Sequence, residues 1–360
     1  MNSKKILFIH FGSSSFVRED LKILKKSHEV YEFFFNVKKS KRCFITIGKY
    51  FLSFIRQVIW MLKQVPKPDL IYCWFADFHA LIPTLYAKIF KIPLFVVIGG
   101  VDGVSNRTLN YGVFNSSWRA PISKIIIKEA SYLLPVNDTL IEAKPIAQLW
   151  GEAYPNGIKH HVKKFNTDWI ELPTGYDSKR WVMGSDNRTK SVLTVAIITS
   201  TKRLLIKGID LLLDSSTYLT DYTFTIIGVS EIMQSYIRQN FNLGDNVILL
   251  PAIDREDLVS HYNTTSIYAQ LSRSEGLPNV LCEAMLCGCI PVGSPVFGIP
   301  KAITIPELVV VKPKAELIAN TINAAHEKFK NNRMQFRDHI QNHFSIEKRE
   351  QKLLSLINGY

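Results

Sequence analysis

The sequence predicts an α/β protein made of two doubly wound, parallel-sheet domains. Three observations carry that prediction. Short apolar runs such as 4–10 (KKILFIH), 69–75 (DLIYCWF) and 191–198 (SVLTVAII) read as strands buried on both faces. Each is followed by a loop and then a helical pattern, the β-loop-α unit of an open sheet. The length, 360 residues, suits two domains, and 47% hydrophobic residues are ample for two cores.

In the first domain, the run 4–10 ends at Phe11-Gly12-Ser13-Ser14-Ser15 and a helical pattern follows from Phe16 to Lys26. This is not a Gly-x-Gly-x-x-Gly fingerprint, so no dinucleotide site is implied. Residues 29–35 read as a second strand. The next stretch, 38–68, has Lys or Arg at 38, 39, 41, 42, 49, 56, 63 and 67, interleaved with aromatic and aliphatic residues. That is the pattern of a basic amphipathic helix lying on an anionic membrane surface. Its apolar part, 44–62, contains Lys49 and Arg56 and does not qualify as a membrane span. Residues 69–75 and 93–98 are further strands, and the second ends in 99–103 (GGVDG). Sites of open α/β sheets lie at such strand ends, which makes Asp102 a candidate acid, base or binder of acceptor hydroxyls. The polar loop 106–119 suits the acceptor side, and 131–137 and 168–173 read as the last strands of this domain.

Charge is distributed unevenly. Of the formal +13, residues 1–183 account for nearly all, with 26 Lys and Arg against 14 Asp and Glu; the remainder is nearly balanced. A basic first half points to an anionic partner. Nucleic-acid binding would explain the charge but not the paired acids described below, and no nucleic-acid module is recognisable. The cysteines Cys43, Cys73, Cys282, Cys287 and Cys289 form no CxxC pair and read as small core residues in a reducing compartment. Residues 1–10 form a polar start followed by a strand, with no signal-peptide pattern, so a cytoplasmic location is expected.

The second domain opens after a break near 174–190. Strand 191–198 leads into 199–207 (TSTKRLLIK) and a helix 208–216, so a basic loop precedes a helix start and suits an anion. Residues 222–228 and 246–250 are strands. Asp254, Glu256 and Asp257 read as the acidic first turn of a helix and not as a metal cluster. The most informative stretch is 271–292 (LSRSEGLPNVLCEAMLCGCIPV). Pro278 suits a first helical turn and Gly288 its stop, giving a helix over 278–287 after a strand over 267–271. Unpaired N–H groups at that helix start favour phosphate. Glu275 and Glu283 would repel phosphate and are better suited to accept hydrogen bonds from hydroxyls on either side of it. A phosphate flanked by hydroxyl-bearing groups describes a nucleotide-sugar. A second Gly-rich loop, 293–300 (GSPVFGIP), faces the same site. A last strand over 307–311 and helices over 314–330 and 345–358 complete the chain.

The Glu-x7-Glu pattern in SEGLPNVLCEAMLCGCIPVG resembles the signature of retaining glycosyltransferases of family GT4, which have the GT-B fold. The resemblance implies two facing Rossmann-like domains: 1–180 for the acceptor, 181–344 for the nucleotide-sugar, and a C-terminal helix, 345–360, crossing back to the first. It implies that Glu275 touches the transferred sugar and Glu283 the ribose. Arg203 and Lys207 would hold the diphosphate, with Lys202 as an alternative to Arg203. The backbones of Gly276, Leu277, Pro278 and Asn279 would lie beside the sugar, Ile253 beside the base and Gly12 near the phosphates. Departures from the family pattern are Gly99-Gly100 where many members have His-Gly, Thr174 in 173–177 (PTGYD) in place of Asn, and Lys301 where Glu often follows Gly-Ile-Pro. The implied activity is metal-independent, cofactor-free, retaining sugar transfer, with Glu275 and Asp102 as the catalytic candidates, and the basic first half points to a glycan or lipid-linked acceptor at the cytoplasmic membrane surface. A nucleotide-sugar epimerase or hydrolase on the same fold is the alternative.

Overall fold

The structure, a computed structural model, describes residues 3–12, 14–37, 43–64, 67–143, 150, 156–184 and 188–360. Lys38, Lys39, Lys41 and Arg42 of the predicted basic helix, Ser13, and 185–187 of the predicted break lie outside the described residues.

Two five-stranded parallel sheets organise the chain. The first contains β1 (Lys5–His10), β2 (Glu29–Phe34), β3 (Leu70–Trp74), β4 (Leu94–Ile98) and β5 (Tyr132–Pro135), in the order β2-β1-β3-β4-β5. The second contains β6 (Thr189–Ile198), β7 (Thr223–Val229), β8 (Val247–Leu250), β9 (Thr265–Gln270) and β10 (Ile290–Gly293), in the order β10-β9-β6-β7-β8. Strand order reverses between β1 and β3 and again between β6 and β9. Crevices at the carboxyl ends of strands beside such reversals are where open sheets bind ligands.

The apolar runs become strands because helices cover both faces of each sheet. Every residue of β3, β4 and β9 is buried, as parallel strands require. Trp74, Tyr72, Phe8 and Phe95 fill the first core, and Tyr222, Phe224, Tyr262 and Tyr268 the second. Cys73, Cys282, Cys287 and Cys289 are buried and unbridged.

Three expectations change. Residues 168–173 add only one bridge, Trp169 to Leu133, and 307–311 only one, Val309 to Gly293, so neither is a strand. In the second case Pro306 starts a 3-10 turn over Pro306–Leu308, which uses up the chain before it can pair. Residues 199–207 are mostly helical: Ser200 caps a helix Thr201–Ile206 by accepting from the Arg203 N–H, and Gly208, at φ +66°, turns the chain into the helix Ile209–Ser216.

The last helix, Ile346–Asn358, returns to the first domain. Its Arg349 reaches the buried Asp20 through two bonds of 2.6 and 2.7 Å and also donates to the carbonyls of Leu172 and Pro173.

Candidate active site

The stretch 271–292 folds as strand end, loop and helix. The helix spans Asn279–Leu286 with Pro278 as its extended N-cap residue. Gly288, at φ +82°, closes it: its N–H donates to Met285 O and that of Cys289 to Ala284 O. Only a residue without Cβ strain turns the chain there.

Three glycine-rich loops meet above this helix. The Gly298 N–H donates to Gly276 O at 3.0 Å. A Cβ on Gly276 would lie 2.3 Å from Gly99 O, so Gly276 packs directly on the 99–103 loop of the first domain. A Cβ on Gly99 would in turn lie 2.3 Å from the Phe75 ring. Phe75 follows β3 with φ +71°, a strained conformation for a bulky residue. The space that a side chain at position 99 would need is therefore occupied by Phe75, a packing solution that goes with Gly99-Gly100 and that no sequence pattern announces.

Between the domains lies a cleft of about 500 Å³, ordinary for a small-molecule site. Its floor is the carboxyl end of the second sheet, from Val195–Ile197 on β6 and Gly228 on β7 to Ala252 and Ile253 beyond β8. Ser14 and Phe16 close it from the first domain. Of the predicted residues, Arg203, Lys207, Ile253, Glu275, Pro278 and Asn279 line this cleft. Lys202 turns away and donates to Asn110 O at 2.5 Å, leaving Arg203 as the cleft residue of the two. Tyr176, from the crossover, donates to Asn279 Oδ1 at 2.9 Å and fixes that side chain at the helix start.

The cations and acids of the cleft are paired with one another. Lys207 Nζ lies 2.6 Å from Glu275 Oε2. Burial works against the lysine charge, but the Glu275 carboxylate outweighs it and holds the ammonium above its ordinary pKa. Glu283 is almost fully buried and accepts from Arg255, whose guanidinium also lies 5.1 Å from the Trp181 ring. Burial raises the Glu283 carboxyl to about 7 even though Arg255 favours its ionised form. Arg255 lines the cleft, although its place in the acidic run DRED gives it the sequence character of solvated surface charge. Tyr111, from the predicted acceptor-side loop, is within electrostatic reach of Lys207, Glu275 and Arg203.

Asp102 does not face this cleft, which corrects its reading as an acid, base or hydroxyl binder. It is fully buried, and its oxygens accept from the N–H groups of Ala76, Gly99 and Gly100 at 2.9–3.0 Å. Burial raises its pKa to about 6. It holds the Gly99-Gly100 loop against Gly276 and is a positioning residue. Gly12, at φ +86°, has open space around it and sits next to the cleft without lining it. Gly276 and Leu277 are buried behind Glu275. Lys301, instead of facing the cleft, bridges the domains to Glu171 at 2.5 Å and Asp138 at 3.3 Å. Among the described residues no group of three or more His, Cys, Asp or Glu converges as a metal cluster would.

Comparison with known proteins bears on the fold. Residues 185–343, most of the second domain, match the family described as Glycosyl transferases group 1. Among solved structures, the chain is similar to a sucrose-phosphate synthase from Thermosynechococcus elongatus, with TM-score 0.75 and 16% identity over 99% of this chain and 98% of that one. It is also similar to HepE from Anabaena in complex with UDP and glucose, with TM-score 0.71 and 15% identity over 99% and 100%. A glycosyltransferase from Rickettsia africae gives TM-score 0.70 and 14% identity over 100% and 99%. These similarities establish the GT-B fold across both domains. No curated protein matches the chain in sequence.

Proposed function

We propose that the protein transfers a sugar, with the retention of anomeric configuration that marks GT4 enzymes, from a nucleoside-diphosphate sugar to a glycan or lipid-linked acceptor at the cytoplasmic membrane surface. The observation that carries this reading is the cleft itself, in which Arg203 and Lys207 stand beside Glu275 and the Asn279 helix start while Glu283 lies paired with Arg255 just behind. Such a set suits a diphosphate with a hydroxyl-bearing group at each end. HepE, similar in fold, is seen with UDP-glucose, which makes a uridine nucleotide the first donor to test.

In this reading the donor exchanges partners within the site. The diphosphate draws Lys207 from Glu275, and the freed carboxylate then accepts hydrogen bonds from the sugar's hydroxyls. Arg203 and Lys207 neutralise the charge that grows on the leaving diphosphate, and fixed charge of this kind stabilises a transition state without reorganisation. Arg203 adds the geometry of its planar donor fork. The ribose takes Glu283 from Arg255 in the same way. No side chain acts as nucleophile in this account, since Glu275 binds the sugar and Asp102 is enclosed by backbone donors. The leaving phosphate accepts the acceptor's proton as the new bond forms on the same face.

A thermal-shift panel of nucleoside diphosphates tests the donor. A bound nucleotide at a hundredfold excess over its Kd adds about 2.7 kcal/mol, so one nucleotide should raise the Tm by several degrees. Product NMR then reads the anomeric configuration, and incubation with donor alone separates transfer from hydrolysis or epimerisation. Failure of every nucleotide to shift the Tm would sink the proposal.

A further inference from the structure

The helix Cys43–Gln64 has three faces. Taking about 100° per residue, Phe51, Leu52, Ile55, Val58, Ile59 and Leu62 fall within an arc of roughly 120°, and each is 37–64% exposed. Lys49, Arg56 and Lys63, all exposed, lie together along one border of that arc. The opposite side packs on the first domain, where Gln57 and Met61 are buried and Gln57 donates to His79 O. An apolar face of this width is normally buried. Here no part of the chain covers it among the described residues.

Beyond the cationic border, between this helix and the edge strand β2, runs a groove of about 560 Å³. Phe33, Phe34 and Trp60 form its apolar wall, and Arg56 and Lys63 line it as well. Apolar arc, cationic border and mixed groove follow one another around the helix, in the order in which acyl chains and anionic headgroups follow one another across a lipid interface.

We infer that this face docks the first domain on an anionic phospholipid bilayer. The helix lies in the plane of the interface, with its apolar arc among the acyl chains and Arg56 and Lys63 at the phosphate level. Charge selects the occupant: the first half of the chain carries 26 Lys and Arg against 14 Asp and Glu, which a bilayer of anionic lipid complements. The docked face also connects to the cleft. Rings run from Tyr50 on the helix to Phe78 at 5.4 Å, and from Phe78 to Phe11 at 5.3 Å and Trp118 at 5.8 Å. Phe11 opens the loop whose Ser14 lines the cleft. A lipid-linked acceptor would thus enter beside the helix, and only this last step rests on the proposed transfer reaction.

The test is co-sedimentation of the full chain with phosphatidylcholine vesicles, with and without about 30% phosphatidylglycerol. Binding is expected to the anionic vesicles and to weaken with salt. The triple variant Phe51→Ser/Ile55→Ser/Leu62→Ser should lose at least about tenfold in partitioning, with unchanged Tm and unchanged stabilisation by nucleotide. Arg56→Gln/Lys63→Gln should lose the preference for anionic lipid while keeping the fold. Equal sedimentation of the triple variant and the parent overturns the inference. So does a parent that ignores both vesicles, or a parent dimer by light scattering that the triple variant abolishes, since a second copy would then cover the face. Vesicle binding without any nucleotide response would refute the transferase reading and leave the docking face standing.

Discussion

Lys207 and Glu275 hold each other at 2.6 Å, and that contact sets what each substitution does. Glu275→Gln keeps the side chain's shape but removes the charge that Lys207 faces. Nucleotide binding should survive, since Lys207 is then available to the diphosphate, whereas turnover should fall by on the order of a hundredfold if the carboxylate grips the sugar in the transition state. Lys207→Ala removes a charge-assisted contact worth about 1.5–3 kcal/mol, so nucleotide affinity should drop roughly ten- to a hundredfold. Steady-state kinetics with isothermal titration separates the two. Glu283 brings pH into the site. Its folded-state pKa of about 7 lies above the usual 4.5, so the folded chain binds this proton more tightly than the unfolded chain does. Its stabilising contribution is therefore complete below about pH 4.5 and lost as the pH rises through about 7. Ribose binding needs the opposite state, the ionised acceptor. Nucleotide affinity should accordingly rise between about pH 6 and about pH 8, and Glu283→Gln should flatten that profile.

The helix Asn279–Leu286 and the glycine loops above it act as one element, because Gly276 touches both Gly99 and Gly298. A methyl group at 276 has no room: Gly99 O would be 2.3 Å away. Gly276→Ala should therefore push the donor loop off the first domain, and a displacement of about 1 Å can cost on the order of a hundredfold in rate. The expected result is a large loss of kcat/KM with the second domain still folded by circular dichroism; near-parental kinetics would show that the loops do not set the cleft. This element was also where the sequence was most legible. Pro278 and Gly288 bound the helix within a residue of its observed ends, because a missing N–H and a positive φ leave marks on composition. Arg255 was hidden, since an arginine within DRED looks like solvated charge until Trp181 and Glu283 surround it. Phe75 was hidden as well, because a strained φ after an apolar strand has no composition cue. Asp102 misled for a related reason: a strand-end acid serves backbone N–H groups as readily as a substrate, and only burial distinguishes the two. The 168–173 and 307–311 runs have strand-like composition, yet each finds only one bridge at the edge of an already complete sheet.

At the scale of the molecule, the two domains are joined as much by the last helix as by the crossover. Arg349 is buried at that junction, with Asp20 on one side and the carbonyls of Leu172 and Pro173 on the other. Asp20 is in turn held by the Tyr72 hydroxyl at 2.7 Å and the Trp74 indole N–H at 2.8 Å. A buried pair of this kind adds little net stability while intact, but losing one partner strands a charge and costs about 3–5 kcal/mol. Arg349→Ala should therefore lower the Tm by about 10 °C and expose the C-terminal helix to protease. The second substitution decides the cause. If the stranded carboxylate is what destabilises, Asp20→Asn added to Arg349→Ala should recover part of the loss, since a neutral amide still uses the Tyr72 and Trp74 donors with its oxygen. If the arginine acts mainly by packing and by holding the Leu172 and Pro173 carbonyls, the double variant should be no better than the single one. The first outcome makes the helix a charge-locked strap that fixes the orientation of the two domains, and hence the width of the cleft between them. Nucleotide affinity in Arg349→Ala should then fall together with stability, although Arg349 lies outside the cleft lining.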